Sequence, residues 1–542
     1  MIDFISKIIS DSLPGIKYTD IEVEIPKVIE HGDYSSNVAL KLSKELNSTP
    51  RDIAKQIIDA INKSPHQIFK DVSIKGPGFI NFSLSRETLI SQIKEILEDG
   101  SNYGKNDLGK GSKAIVEFVS ANPTGPLTVG HGRGAMLGDT ISNLLSWGGY
   151  KVDREYYFNN AGRQMRVLGM SVSERCNELL GKKSNFPENG YEGQYIYDIA
   201  KKFLNEHNDK IEFNCEVFKK YAEQLIFEDI EQTMKRLGLT FNNFFNENDL
   251  YKDRSIDKTV NDLKKLGLIY EKDGAVWFKA TECGRTDDRV LLKSSGEPTY
   301  RLPDIAYHRT KFERNYDLIV DVFGADHMDA YPDVVAALQA LGYDKNKIRV
   351  LVHQFVTVTK DGQPVKMSTR KANFVTLDEL IDEVGSDVVR YFFIMRGMNS
   401  HLNFDIDIAK QQTDENPVFY LQYAHARISN LIKRSNVDMS DFSNISNLID
   451  KKTSLIDEEH HLICKAINFP LVIKKSLRIL DPQLISNYLQ DIASSFHKYY
   501  AKKRIISSNE EETAQNIAIC KSVQIVINNG LSILGISAPE RM

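Results

Sequence analysis

The chain has 542 residues, 41% of them hydrophobic and 26% charged, with a formal net charge of −5. That length exceeds what one compact core organises, so three domains, or a large domain with insertions, are expected. The composition excludes a disordered chain. The slight negative charge excludes a bulk electrostatic sponge for nucleic acid but leaves room for a basic stripe on one face. Cys176, Cys215, Cys283, Cys464 and Cys520 stand far apart with no CxxC pair. This spacing suits neither a zinc knuckle nor a disulfide framework, so a reducing cytoplasmic setting and no metal site are expected. Met1-Ile2-Asp3-Phe4 lacks the order of a signal peptide, and no uninterrupted apolar run reaches membrane-spanning length, so no membrane association is expected.

Residues 1–105 read as a small α/β domain. Ile2, Ile5, Ile8, Ile9 and Leu13 fall on one helical face, and Ile21 to Ile25 alternates like a strand. A helix from about Ser36 turns Val38, Leu40, Leu42 and Leu46 inward, and the next opens at Thr49-Pro50, an N-cap followed by proline. Val72 to Ile74 and Phe79 to Phe82 close a small sheet around Gly76-Pro77-Gly78, and the glycine- and lysine-rich stretch 99–113 reads as a linker.

A β-α-β pattern follows: strand Ala114 to Val119, helix Gly130 to Trp147, strand Lys151 to Phe158. It returns as strand Leu318 to Phe323, helix Met328 to Leu341 and strand Ile348 to Val358, with a mainly helical insertion between, at about 164–299, holding one strand at Ala275 to Lys279. Thr376-Leu377-Asp378-Glu379 is a capping box for a helix ending at Gly385. Stripes at Leu421, Ala424, Ile428, Leu431, Ile432 and at Leu484, Tyr488, Ile492, Phe496, Tyr499 make 411–542 a helical bundle.

Between the first strand and its helix stands Ser120-Ala121-Asn122-Pro123-Thr124-Gly125-Pro126-Leu127-Thr128-Val129-Gly130-His131. A parallel sheet places its ligands at such strand ends, and free amides at a helix start favour phosphate. His131 adds a donor, and Gly130 removes a side chain that would block an adenine. A purely structural glycine-rich turn is the alternative. So is a dinucleotide fingerprint built on Gly130, Gly132 and Ala135 with Asp153, although about ten residues and two prolines separate it from its strand. Some 235 residues on, Lys366-Met367-Ser368-Thr369-Arg370-Lys371 forms an exposed basic loop after the turn signal Asp361-Gly362. Alone it could be a solvated hairpin. Together and in this order, the two segments favour one nucleotide site.

These segments resemble the HIGH and KMSKS motifs of class I aminoacyl-tRNA synthetases, and the match extends to the arginine-specific family. Ala121 to Leu127, Gly324-Ala325-Asp326-His327, Tyr300 with Asp304, and Gln422-Tyr423-Ala424-His425-Ala426-Arg427 look like that family's, and Gly32-Asp33-Tyr34 and Gly76-Pro77-Gly78-Phe79 resemble its N-terminal domain. The likeness runs from about residue 20 to Met542. Thr128 replaces the first histidine of HIGH and Thr369 the second lysine of KMSKS, which shifts the division of labour among phosphate contacts.

The resemblance implies an α/β fold in three parts: a tRNA-contacting domain at 1–105, a Rossmann-like nucleotide-binding catalytic domain with its insertion at 106–410, and an all-α anticodon-binding bundle at 411–542. It implies ligation of arginine to tRNA through an adenylate, activation waiting on bound tRNA, Mg–ATP as substrate, no tightly bound cofactor, and a monomer. Asn122 to His131 and Lys366, Met367 and Ser368 would hold ATP, with Thr128, Gly130, His131, Lys366 and Ser368 acting in catalysis. Glu117, Tyr300 and Asp304 would hold the guanidinium, Ser120 and Asn122 the amino-acid backbone, and Asp326 and His327 would complete the substrate site. Without the resemblance, Asp304 reads as a helix-surface carboxylate and Tyr300 as a core aromatic. Lys433-Arg434, Lys474-Lys475 and Lys502-Lys503-Arg504 are candidate tRNA phosphate contacts, and one or two of Tyr420, Tyr423, Tyr499 and Tyr500 could stack on bases. The rivals are a dinucleotide-dependent oxidoreductase, which leaves the Lys366 loop unexplained, and a non-catalytic tRNA-binding relative, against which His131, Lys366, Glu117 and Asp304 stand.

Overall fold

The computed structural model describes residues 1–13, 21–26, 28–63, 68–207, 215–365, 375–439, 446–447, 449 and 454–542. The N-terminal part packs helices α1 (Ile2–Asp11), α2 (Val38–Leu42) and α3 (Pro50–Asn62) on strands β1 (Val23–Glu24), β2 (Tyr34–Ser36), β3 (Phe69–Lys75) and β4 (Phe79–Leu84), in the order β1-β2-β4-β3. Thr49 caps α3 by accepting the Asp52 N–H, with Pro50 in the first turn. The helix expected to carry Leu46 inward ends at Leu42, and Leu46 is exposed. Ser43 bonds back to the Leu40 carbonyl and Asn47 is left-handed, which turns the chain toward the Pro50 start. Gly32, at φ 80°, lies so close to β4 that a Cβ would meet the Phe82 carbonyl oxygen at 2.7 Å. That approach lets the Asp33 N–H reach the same carbonyl.

Helix α4 (Arg86–Asp99) leads into the expected linker, which is not free. Tyr103 is buried against Phe469, and the Asn529 amide donates to the Gly100 and Tyr103 carbonyls. The Tyr103 ring and two backbone carbonyls hold this stretch to the C-terminal bundle, while Ser101, Asn102, Lys105, Lys110 and Lys113 face solvent.

The core is a parallel sheet of β5 (Lys113–Glu117), β6 (Lys151–Phe158), β7 (Asn243–Asn246), β11 (Leu318–Gly324) and β12 (Ile348–His353), ordered β12-β11-β5-β6-β7. Helix α5 (Val129–Trp147) joins β5 to β6, and α6 (Gly162–Leu179), α7 (Gln194–His207) and α8 (Cys215–Arg236) follow. The expected helical insertion over 164–299 is corrected here, because β7 within it is an edge strand of the core sheet. Asn243-Phe244-Phe245-Asn246 is too short to show a period, and only pairing with β6 defines it. After α9 (Glu247–Lys252) and α10 (Ser255–Lys265), β8 (Ile269–Lys272), β9 (Ala275–Phe278) and β10 (Arg289–Leu292) make a small antiparallel sheet. Helices α11 (Arg301–Glu313) and α12 (Tyr331–Ala340) flank β11.

The single strand expected over 348–358 is two. β12 pairs with β11, whereas β13 (Val356–Lys360) joins β14 (Gln363–Pro364) and β15 (Leu402–Asp405) in a separate sheet. The alternation continues across the break while the partner changes, so periodicity could not mark it. Helices α13 (Leu377–Val384), opened by the expected Thr376–Glu379 capping box, α14 (Ser386–Ile394) and α15 (Ile406–Ala409) complete this part.

The C-terminal bundle comprises α16 (Pro417–Ser435), α17 (Asp457–Ile467), α18 (Phe469–Ile479), α19 (Gln483–Lys502) and α20 (Glu510–Leu534). By length and average composition α20 is apolar enough to cross a membrane, although Lys521, Gln524, Asn528 and Asn529 interrupt its apolar run. Its faces are covered by α4, α16, α17 and α19, which is why it is apolar all round.

Candidate active site

The sheet reverses its direction of growth between β5 and β11, and ligands of such sheets bind at that switch point. There β5 ends in a strained turn, with Val119 and Ser120 at φ 66° and 41°. The turn aims Ser120 Oγ at Glu117 Oε1, 3.1 Å away, and lets it accept the Tyr157 N–H. The Asn122 amide donates to Gln164 Oε1 at 2.7 Å, and the Tyr195 hydroxyl to the Thr124 carbonyl at 2.7 Å. Pro123, Leu127 and Val129 are buried and shape the loop. Asn122, Thr124, Gly125, Pro126, Thr128 and His131 line one cleft of about 570 Å³ together with Arg163, Gln164, Tyr191 and Tyr195.

Thr128 is the N-cap of α5. Its N–H donates to His131 Nδ1 at 3.1 Å. Because Nδ1 is the acceptor, a neutral His131 carries its hydrogen on Nε2. Burial lowers the His131 pKa, against the opposing field of Asp326, and so favours that neutral form. Gly130 is exposed, and an added Cβ would meet only Thr128 Oγ1, at 3.5 Å. Among the described residues no neighbour requires a glycine there.

Lys366, Met367 and Ser368, with Thr369, Arg370 and Lys371, lie outside the described residues. The flanks of that segment are fixed: the Val365 N–H donates to the Val358 carbonyl, and beyond it Val129 N–H meets Val375 O at 3.2 Å and Leu377 N–H meets Leu127 O at 2.9 Å. The chain therefore leaves the second signature directly alongside the first.

Carboxylates gather around α11. Glu117 at the end of β5 is buried and receives Lys311 Nζ at 2.6 Å; the same ammonium reaches Asp321 Oδ1 at 2.6 Å. Lys311 and His308 hold Asp321 well below the usual carboxylate range despite its burial, and the two carboxylates in turn raise Lys311. Asp304 on α11 differs: among the described residues its carboxyl has no hydrogen bond or ion pair. Desolvation, against the opposing fields of His308 and Lys311 and reinforced by Glu117 and Glu247, pushes it up to about 7. Tyr300 begins the same helix, 60% exposed, with the Arg301 guanidinium over its ring. Asp326 and His327 are exposed at the end of β11, His327 stacked on Phe323.

Sequence reading missed Arg163, Tyr157, Glu247, Lys311 and Asp321. No local pattern singles any of them out: Lys311 and Asp321 stand near expected residues in the chain, but only their pairing in space sets them apart. In the bundle, Tyr499 is buried, whereas the half-exposed Arg427 guanidinium lies 4.4 Å from the Tyr423 ring and 4.5 Å from that of Tyr500. Of the candidate phosphate contacts, Lys433 pairs with Glu540, Lys474 with Asp3, Lys502 with Glu458 and Lys503 with Glu512.

The reversed parallel sheet and the Thr128–His131 cleft define a class I tRNA synthetase catalytic domain. The family model described as tRNA synthetases class I (R), catalytic domain, matches residues 92–392. The arginyl tRNA synthetase N terminal domain matches 2–84 and the DALR anticodon binding domain 421–542. The arginine–tRNA ligase of Desulfotalea psychrophila is 46% identical over 529 residues, 97% of this chain and 95% of that protein. That of Chlorobaculum tepidum is 47% identical over 558 residues, 99% and 100% of the two. The Thermus thermophilus arginyl-tRNA synthetase shares the fold, with a TM-score of 0.77 over 99% of both chains at 21% identity. The chain belongs to the arginine–tRNA ligase family.

Proposed function

We propose that the chain joins L-arginine to its cognate tRNA with ATP, through an arginyl-adenylate, for protein synthesis. Asp304 carries this reading. A half-buried carboxyl near two others, with no ion pair of its own among the described residues, is matched by a guanidinium entering beside it. Glu117, already shared with Lys311, would face the same guanidinium, and the exposed Tyr300 at the start of the helix would pack over it. Ser120 and Asn122 hold the amino and carboxylate end, turning the carboxylate toward the cleft, with Asp326 and His327 at its edge.

ATP lies along Asn122 to His131, its adenine over Gly130. One arginine carboxylate oxygen attacks the α-phosphorus as the bond to the β-phosphate breaks and pyrophosphate leaves. His131 Nε2–H and Thr128 donate to the phosphates, and Lys366, with Met367 and Ser368, closes from the other side to neutralise the leaving group. This is positioning and charge stabilisation, with no covalent nucleophile. Among the described residues lining the cleft none is a carboxylate, so magnesium would arrive on the triphosphate rather than in a protein cage. A ribose hydroxyl at the tRNA 3′ end then attacks the arginyl carbonyl and releases AMP.

We assign tRNA contact to 1–105, both chemical steps to 106–410 and anticodon reading to 411–542, in a cytoplasmic monomer that does not engage membranes. ATP–pyrophosphate exchange with each amino acid, with and without total tRNA, tests the whole. Exchange should occur with arginine alone and only with tRNA present. Exchange with another amino acid, or at full rate without tRNA, would overturn the corresponding part.

A further inference from the structure

We propose that Asp33, His460 and Cys464 form a binding site for one zinc-like divalent cation at the joint between the N-terminal domain and the helical bundle. Asp33 precedes β2. Its Oδ2 accepts the Leu84 N–H at 2.7 Å, which fixes the carboxylate with Oδ1 turned to the bundle. Oδ1 receives His460 Nε2 at 2.8 Å and Cys464 Sγ at 3.3 Å. His460 and Cys464 are four apart on α17 and so share a face. The three ligand atoms lie within 4.8 Å of one another.

One oxygen, one imidazole nitrogen and one thiol sulfur suit a borderline-soft cation and are a poor set for magnesium or calcium. The hydrogens that bind Nε2 and Sγ to Oδ1 are those a metal displaces on binding. Ligands of a tetrahedral zinc stand roughly 3.2–3.7 Å apart, so the Asp33–His460 contact opens by about half an ångström while the Asp33–Cys464 contact needs little change. The Leu84 amide supplies the outer-shell hydrogen bond that orients a metal-bound carboxylate. The cysteine is buried, whereas the His460 side chain is 31% exposed, so the imidazole side is the entry path and leaves a fourth position to water. A cation there would cross-link segments 427 residues apart in the chain and stabilise their docking by mass action.

The test is titration of the metal-free full-length chain with cobalt(II), read by thiolate-to-cobalt charge-transfer absorption and by Tm. The expected result is saturation at one equivalent, a raised Tm, and loss of the absorption when zinc is added. Cys464→Ser should abolish the charge-transfer band, and His460→Gln should weaken cobalt binding by about tenfold or more. Both variants should retain arginine-dependent pyrophosphate exchange, since neither residue touches the cleft. Absence of saturable absorption, or a band unchanged in Cys464→Ser, would overturn the site and leave the three residues as a hydrogen-bonded latch.

Discussion

At Asp304 the pKa of about 7 and the absence of a cation partner set a pH dependence with a definite sign. In the role proposed for Asp304, arginine requires the ionised carboxylate, so KM for arginine should fall about tenfold per pH unit on approaching pH 7 from below and level off above it, with the dependence lost in Asp304→Asn. That variant should cost about 2–5 kcal/mol in arginine binding, read from KM in the exchange assay. Between the ordinary carboxylate range and about 7 the folded chain holds a proton that the unfolded chain has lost. The group's contribution to stability therefore declines as pH rises through that window, and the Tm shift produced by arginine should grow from pH 6 to pH 8. Gly130 yields a different expectation, because none of the described residues fills the space above it. Gly130→Ala should leave urea stability unchanged or raise it by up to about 1 kcal/mol, as for alanine in a helix, while raising KM for ATP. Unchanged ATP affinity would mean that the nucleotide does not approach there. Asp304 could be picked out from the sequence only through its resemblance. Its lack of an ion pair could not, because that depends on Glu117 and Glu247 arriving from other elements and on Lys311, from the same helix, turning to Glu117 and Asp321.

At the scale of elements, Lys311 ties α11 to the ends of β5 and β11 by pairing with Glu117 and Asp321 in a site closed to solvent. Removing one partner of a buried ion pair strands the others. Lys311→Met should destabilise the chain by about 3–5 kcal/mol in urea unfolding, and adding Asp321→Asn should recover part of the loss. The β-α-β units were legible in the sequence because each has its own hydrophobic period and turn chemistry. The edge strand β7 and the division of β12 from β13 were not, since a four-residue strand has no period and a change of partner leaves the alternation intact.

Across the whole molecule, Arg390 on α14 joins parts that the sequence separates into domains. Its guanidinium donates to the Leu237 carbonyl after α8, to the Leu534 carbonyl at the end of α20, and to the buried Asp139 on α5. Arg390→Met should lower stability by about 3–5 kcal/mol, measured by denaturant unfolding, because Asp139 loses its buried partner. The exposed lysines of the bundle bear on tRNA instead. Since Lys433 and Lys502 are paired with Glu540 and Glu458, neutralising them should change the salt slope of tRNA binding less than removing Arg427, which a filter-binding series would read. By itself the sequence determined the nucleotide fold, its two signatures and the helical C-terminal part, because period, capping and turn residues act over short stretches of chain. Only the tertiary structure decided which carboxylate lacks a cation, which strand closes the sheet, and that Asp33 meets His460 and Cys464. Desolvation and ion pairing depend on distance in space, and residues hundreds apart in the chain leave no mark of that distance in their order.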